Sequence, residues 1–422
     1  MIAKFKKVLS NDGALFTLSS LIYSFSTYLI ALTIPYIFDV KMMAGFSATF
    51  NIIMIFSFVF EFGLSTSYLR FNQIRKNTDF INAYFQLFIF AILTLFYFTF
   101  LGNFLGDMFG FDNIELGEEY IYLATFAVLS WIFFKNVYLS NKKIKFILLN
   151  SVILLLIRVG FLIYIFTIEG PVTLDEIFIY LFIAPFVLVA FFNMKYNIEY
   201  IVKSFEKIKE KRNISIFKKR VKQFLAFSFL AYIINSLYIY TGRYALVYLT
   251  DEKMEQLLAE LGYAFTFGGL IMIFTVSIRL YLISKFNISN VDEIVKYVKK
   301  INGYKYQFMV VGAVFSSLVA FTVYFIKPDY LTERTALFTF ILIFSYMVIA
   351  YFSMFTLLSK TFDFNKLELG LNVVRLILVV IAVELLLGEY PIAGFAVVSF
   401  CMVIIEYIFA KIVLKRVLKK DI

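Results

Sequence analysis

The chain has 422 residues, 62% of them hydrophobic and 16% charged, with a formal net charge of +11 and a mean hydropathy of +0.85. A soluble domain has about 45–50% apolar and about 25% charged residues, so this composition excludes a water-soluble globule and requires lipid as solvent. Histidine is absent and Cys401 stands alone, which excludes His-ligated metals, Ser-His-Asp and Cys-His catalysis, intrachain disulfides and cysteine zinc clusters.

A helix needs about 20 apolar residues to cross the hydrocarbon core of a bilayer. Twelve segments reach that length: 14–37, 44–66, 82–102, 120–139, 147–168, 176–194, 224–249, 259–283, 306–326, 334–357, 368–387 and 392–412. Lys4, Lys6 and Lys7 precede the first, but it is of spanning length and no small-residue cleavage site follows, so it reads as an uncleaved span. The sixth carries Pro185 at its middle, which predicts a kink and offers a hinge. Cys401 lies within the twelfth and reads as a small core hydrophobe. Barrel strands would be about half as long and would alternate in polarity. These runs are apolar all round, so the predicted class is an all-α polytopic membrane protein with twelve transmembrane helices.

Loop charge orients the bundle. With the N-terminus inside, the inner segments hold 31 basic residues and the outer loops only Lys41, Lys253, Lys327 and Arg334. This bias predicts an N-in, C-in topology. The same inner charges suit contacts with anionic lipid head groups, and with no soluble domain to present a patch, no nucleic-acid partner is expected. The stretch 195–223 carries ten basic residues and reads as a cytoplasmic linker between an N-terminal lobe, 1–194, and a C-terminal lobe, 224–422.

Internal similarity supports two halves. Gly45-Phe46-Ser47-Ala48-Thr49-Phe50 opens the second span, and Gly262-Tyr263-Ala264-Phe265-Thr266-Phe267 opens the eighth. An Ile-Met-Ile-Phe follows each, at 53–56 and 271–274. Six spans separate the pair, so both run in the same direction and the two six-helix lobes are parallel repeats. Parallel lobes imply alternating access around a central cavity.

A charge at mid-bilayer costs at least about 2.5–3.5 kcal/mol, so each needs a reason. Arg158 lies near the centre of its span, too deep to snorkel, and fits either a substrate cavity or a buried structural pair. Lys135 and Arg375 either face a cavity or stretch towards the inner interface. Arg279 and Arg243 lie closer to the span ends, where an interfacial role competes. Glu61 and Glu406 sit near inner helix ends as ion-pair partners or coupling carboxylates. Basic residues outnumber acidic ones within the spans, and a partly cationic lumen attracts an anionic solute. Phosphate or pyrophosphate suits arginine, whose planar fork binds oxyanions in bidentate fashion.

Gly45-Phe46, then Glu61-Phe62-Gly63-Leu64-Ser65 and Arg70, resemble the "yG-f … fGl-s … R" pattern of polysaccharide-unit flippases. These are the Wzx-type exporters of the MOP superfamily, related to MATE drug exporters. Thr241-Gly242-Arg243-Tyr244 and Leu261-Gly262-Tyr263 resemble that family's "D-R-y … lG-Y" stretch, with Gly242 in place of the acidic residue. The resemblance implies export of an undecaprenyl-pyrophosphate-linked oligosaccharide from inner to outer leaflet for surface polysaccharide (such as O-antigen) assembly. It implies a bacterial inner-membrane location, no cofactor or catalysis, an H+ or Na+ coupling ion, and polymerase or ligase partners in the pathway. By this analogy the pyrophosphate meets lumenal cations, Arg158 first, then Lys135, Arg375 and Arg70, with Arg243 and Arg279 as further candidates.

Three readings compete. A multidrug or cation exporter of the MATE type would display lumenal carboxylates rather than an excess of arginine. A glycan polymerase or ligase would carry a large outer loop, and a membrane acyltransferase a catalytic histidine. A major-facilitator transporter shares the half-chain repeat but not the motifs.

Overall fold

In lipid no water pairs with backbone amides, so a spanning segment must satisfy its own hydrogen bonds. The computed structural model describes residues 12–61, 118–141, 143–167, 172–199, 255–268, 301–361, 365–382 and 390–419, with the isolated positions 202, 253 and 296. Among the described residues all regular structure is helical. The predicted spans 82–102 and 224–249, and the linker beyond its first few residues, lie outside them.

In the first half, α1 (Asp12–Thr33) ends in a 3-10 turn at Ile34–Tyr36, where Pro35 cannot continue the ladder. Helix α2 (Val40–Glu61) starts at Asp39, whose Oδ1 accepts from the Met42 amide at 2.9 Å. Helices α3 (Glu118–Ser140) and α4 (Ile144–Thr167) follow. The sixth predicted span opens as α5 (Leu174–Phe178), passes through a π-helical stretch, Ile179–Ile183, and continues as α6 (Ala184–Phe192). A capping box fixes its start: Thr173 Oγ1 accepts from the Glu176 amide and Glu176 accepts from the Thr173 amide.

The second half shows a helical segment at 255–268, then α7 (Lys305–Ile326), α8 (Arg334–Thr361), α9 (Asn365–Ala382) and α10 (Pro391–Lys419). Five described helices are long and apolar enough to cross a membrane: α3, α4, α7, α8 and α10. Helices α8 and α10 run past their predicted inner ends, because basic residues such as Lys411, Lys415 and Arg416 continue the helix beyond the apolar stretch.

Packing follows the halves. Helix α1 lies along α4, α2 against α3, and α3 and α4 against the π-helical span. In the second half α7 and α10 both pack on α8, and α9 on α10. Buried positions on α4 include Ile147, Ser151, Leu154, Arg158, Leu162 and Ile165, spaced three or four apart, which is the seam of two helices packed lengthwise. Its other face exposes Leu149, Leu156, Ile163 and Phe166, as expected of a surface facing lipid chains.

The repeated motif lies where the halves meet. A Cβ on Gly262 would overlap the side chain of Ser47, so only glycine permits this approach. Phe46, Ile53, Leu258, Tyr263 and Phe267 belong to one continuous core that crosses from the first half to the second.

Candidate functional site

Among the described residues Arg158 heads the large side chains that are fully buried, at 1% exposed. Its Nη1 donates to Ser26 Oγ on α1 at 2.7 Å. Its guanidinium carbon lies 5.2 Å from the Phe186 ring centroid, 5.5 Å from Tyr23 and 6.0 Å from Phe182. Two turns back on the same seam, Ser19 and Ser151 pair through their hydroxyls at 3.0 Å. Both pairs join residues 132 apart, so α1 and α4 run parallel in fixed register, and that register delivers Ser26 to Arg158.

Aromatic faces and a hydroxyl are what make this burial tolerable. A desolvated cation over a ring gains about 2 kcal/mol and a hydrogen bond to a charged group about 1.5–3 kcal/mol. Together they match the insertion cost of about 2.5–3.5 kcal/mol for the charge.

Lys135 on α3 turns towards the same place. Its Nζ is 5.4 Å from the Phe16 centroid and 5.9 Å from that of Tyr23. Tyr23 thus lies between the two cations, stacked on Trp131 at 5.9 Å. Trp131, the single tryptophan of the chain, also faces Phe186 at 6.3 Å. Two sequence candidates, Arg158 and Lys135, therefore share one aromatic nest inside the first half.

Pro185 shapes the nest from below. It lacks an N–H, and its ring would clash with the carbonyl four residues earlier in a regular helix. The chain resolves this with the π-helical stretch just before it, in which the Ala184 amide donates to the carbonyl of Ile179. Phe182 lies within the π turn and Phe186 just after it, and both reach Arg158. The expected kink is realised as a π turn that aims two aromatics.

Arg375 and Glu406 are also brought together. They form an ion pair between α9 and α10, and Arg375 Nη1 donates to Asn372 Oδ1 at 3.0 Å. Both charged side chains are nearly sealed from solvent. The arrangement gives Glu406 a cation partner and turns Arg375 towards its own half. Arg70, Arg243 and Arg279 lie outside the described residues. Glu61 ends α2, and its side chain lies outside them as well.

A second buried carboxylate escaped the sequence reading. Glu260, fully buried on the 255–268 helix, accepts from Thr332 Oγ1 at 2.7 Å, the Thr332 amide at 3.3 Å and Gln256 Nε2 at 3.1 Å. Arg334 pairs with it at 3.3 Å. It stands at the edge of a predicted span, where an acidic residue passes for an ordinary interfacial charge. Nearby, outside the spans, burial raises the Tyr330 hydroxyl well above its usual titration range, and the charge of Asp39 and then Tyr36 add to this. Tyr330 therefore remains an O–H donor throughout the physiological range.

Comparison with solved structures shows the same helix arrangement elsewhere. The Vibrio cholerae MATE transporter VcmN in its bent form superposes with a TM-score of 0.60 at 13% identity, covering 98% of this chain and 99% of that one. The chain has the MATE transporter fold. An inward-facing multidrug resistance MATE transporter of the MOP superfamily matches at a TM-score of 0.53 and 15% identity, over 97% and 96% of the two chains. A MOP superfamily transporter from Pyrococcus furiosus, described by the reverse polarity of its binding pocket, matches at 0.50 and 16%, again over 97% and 96%. No protein-family model matches the sequence, and a search of curated proteins finds no match. The likeness is one of fold, and the described residues are those of an all-helical, multi-pass membrane protein, with five helices long and apolar enough to span. The Arg158–Lys135 nest belongs to its N-terminal lobe.

Proposed function

We propose that the chain is a transporter of the MOP type. Its substrate is an undecaprenyl-pyrophosphate-linked oligosaccharide, carried from the inner to the outer leaflet of the bacterial cytoplasmic membrane by alternating access. One observation carries this reading: Arg158 and Lys135, on different helices, converge on Tyr23, which stacks on Trp131. Two cations suit a pyrophosphate, and arginine suits its oxyanions in bidentate geometry. H+ or Na+ is the coupling ion, and the polymerase or ligase of the pathway receives the product.

The rival within the same fold is a multidrug or cation exporter. Of the two carboxylates that could serve a cation, Glu406 is already paired with Arg375, and the side chain of Glu61 lies outside the described residues. The Pyrococcus furiosus relative supports the wider point, since reversed pocket polarity there is taken to suggest a different function within one superfamily.

Rescue of surface glycan in a flippase-deficient cell tests the proposal. Wild type restores the glycan. Arg158→Ala, present at wild-type level and correctly folded, lowers export about 10- to 100-fold, the range for losing charge-assisted hydrogen bonds of about 1.5–3 kcal/mol. Lys135→Ala moves in the same direction. Wild-type export by Arg158→Ala, or efflux of a fluorescent cation from proteoliposomes without glycan rescue, overturns the reading.

A further inference from the structure

Helix ends leave carbonyl groups without intrahelical partners. At one end of the bundle two such carbonyls are capped across the halves, each by a tyrosine of the other. Tyr36, just past α1, donates to the carbonyl of Ile326, the last residue of α7. Tyr330, just past α7, donates to the carbonyl of Pro35 at 2.9 Å. The two bonds are reciprocal, as expected where parallel repeats meet about an axis along the membrane normal.

The loop that carries Tyr330 is held from within its own half. Gln256 Nε2 donates to the Tyr330 carbonyl at 2.8 Å and to Glu260 at 3.1 Å. Glu260 in turn fixes the backbone and hydroxyl of Thr332 and pairs with Arg334. A fully buried carboxylate that takes this many donors sets the loop's position closely. Directly beneath, Gly262 lets the two halves approach at Ser47.

We propose that Tyr36 and Tyr330 form a reciprocal latch that holds this end of the two lobes shut, with Glu260 as the positioning residue that presents Tyr330 to Pro35. The loop charges assign this end to the outside, so the latch is the outer closure of the transport cycle. The proposal rests on the two-lobe alternating-access reading, and its test needs no substrate. Two hydrogen bonds and one close backbone approach fasten the rim of the shared core, where the halves can part without unfolding either lobe. The carbonyls freed on opening can then be taken up by water at the membrane surface.

The test is a distance across that end, measured by pulsed electron paramagnetic resonance on full-length protein in lipid nanodiscs. Spin labels go on Thr167 and Tyr390 in a Cys401→Ser background. Thr167 is exposed at the end of α4, which runs parallel to α1 and so finishes beside the latch. Tyr390 is exposed at the start of α10, which begins beside the start of α8, where Phe338 meets Phe395. The labelled parent should give one short distance population. Tyr36→Phe/Tyr330→Phe keeps both rings and removes only the two donors, and it should add a longer population. Glu260→Gln should do the same with both tyrosines intact. Unchanged distances in both variants, with unaltered gel-filtration profiles, overturn the latch. Glycan rescue reads the transport function separately, so static distances in a protein that exports glycan reject the latch alone.

Discussion

Arg375 and Glu406 show what a charge in a membrane helix requires of its neighbours. Each is nearly sealed from solvent and each is satisfied by the other, with Asn372 holding the guanidinium from one turn away. Removing one partner strands the other in a low-dielectric interior, which costs about 3–5 kcal/mol, whereas replacing both by apolar residues of similar volume is often neutral. Arg375→Leu should therefore lower the thermal midpoint of the purified protein sharply. Arg375→Leu/Glu406→Leu should recover most of the loss, and a double-mutant cycle in detergent measures the coupling. If the two single substitutions, Arg375→Leu and Glu406→Leu, simply add in the double variant, the pair contributes nothing. The charges themselves were legible in the sequence because lipid makes every one expensive. Their partners were not. Ser26, Tyr23, Phe182 and Phe186 look like any other residues of apolar spans, since the lobe face and the lipid face of a membrane helix have the same composition. Glu260 was missed for the opposite reason, as its position at a span edge made its charge seem cheap.

At the scale of the element, the sixth span carries the most information. Its proline was plain in the sequence, and so was an irregularity there. The form of that irregularity was not, because a proline can kink a helix, break it or be absorbed by a π turn depending on what packs around it. Here the turn places Phe182 and Phe186 on the same guanidinium. Pro185→Ala removes the clash and restores a donor, so the span can relax towards a regular helix. Alanine is about 3 kcal/mol better than proline in a helix interior, so the thermal midpoint should hold or rise. Export should fall several-fold, because residues before the turn rotate relative to those after it and the two rings no longer share Arg158. Normal export with a raised midpoint would show that the nest does not depend on the turn. The seam on α4 was legible in retrospect: Ser19 and Ser26 stand seven residues apart, as do Ser151 and Arg158. A polar pair at a seven-residue interval on each of two apolar helices is a register mark.

For the whole molecule, two coarse signals in the sequence anticipated the architecture. Apolar runs of spanning length gave the helices, and the repeated Gly45 and Gly262 motifs gave the halves. The structure adds that the motifs are neighbours at the junction itself, with Ser47 against Gly262, which no periodicity could reveal. The linker boundaries, 195–223, fall largely outside the described residues. Topology is the remaining claim at this scale, and it rests on charge. Sorted by the predicted spans, 31 of the 40 basic residues fall on one side and four on the other. Orientation during insertion follows such a bias in short loops, because lysine and arginine near the span ends resist translocation. Each basic juxtamembrane residue also gains about 1 kcal/mol from the anionic inner surface, so the bias acts again after insertion. The prediction is that alkaline phosphatase fused after Tyr390 is active, since it is exported, and that the same enzyme fused after Ile422 is inactive while a green fluorescent protein there is bright. The reverse pattern would place the Tyr36–Tyr330 latch on the cytoplasmic side. It would make the latch an inner closure. The fusion pair therefore decides which side of the membrane the latch closes, independently of what the substrate is.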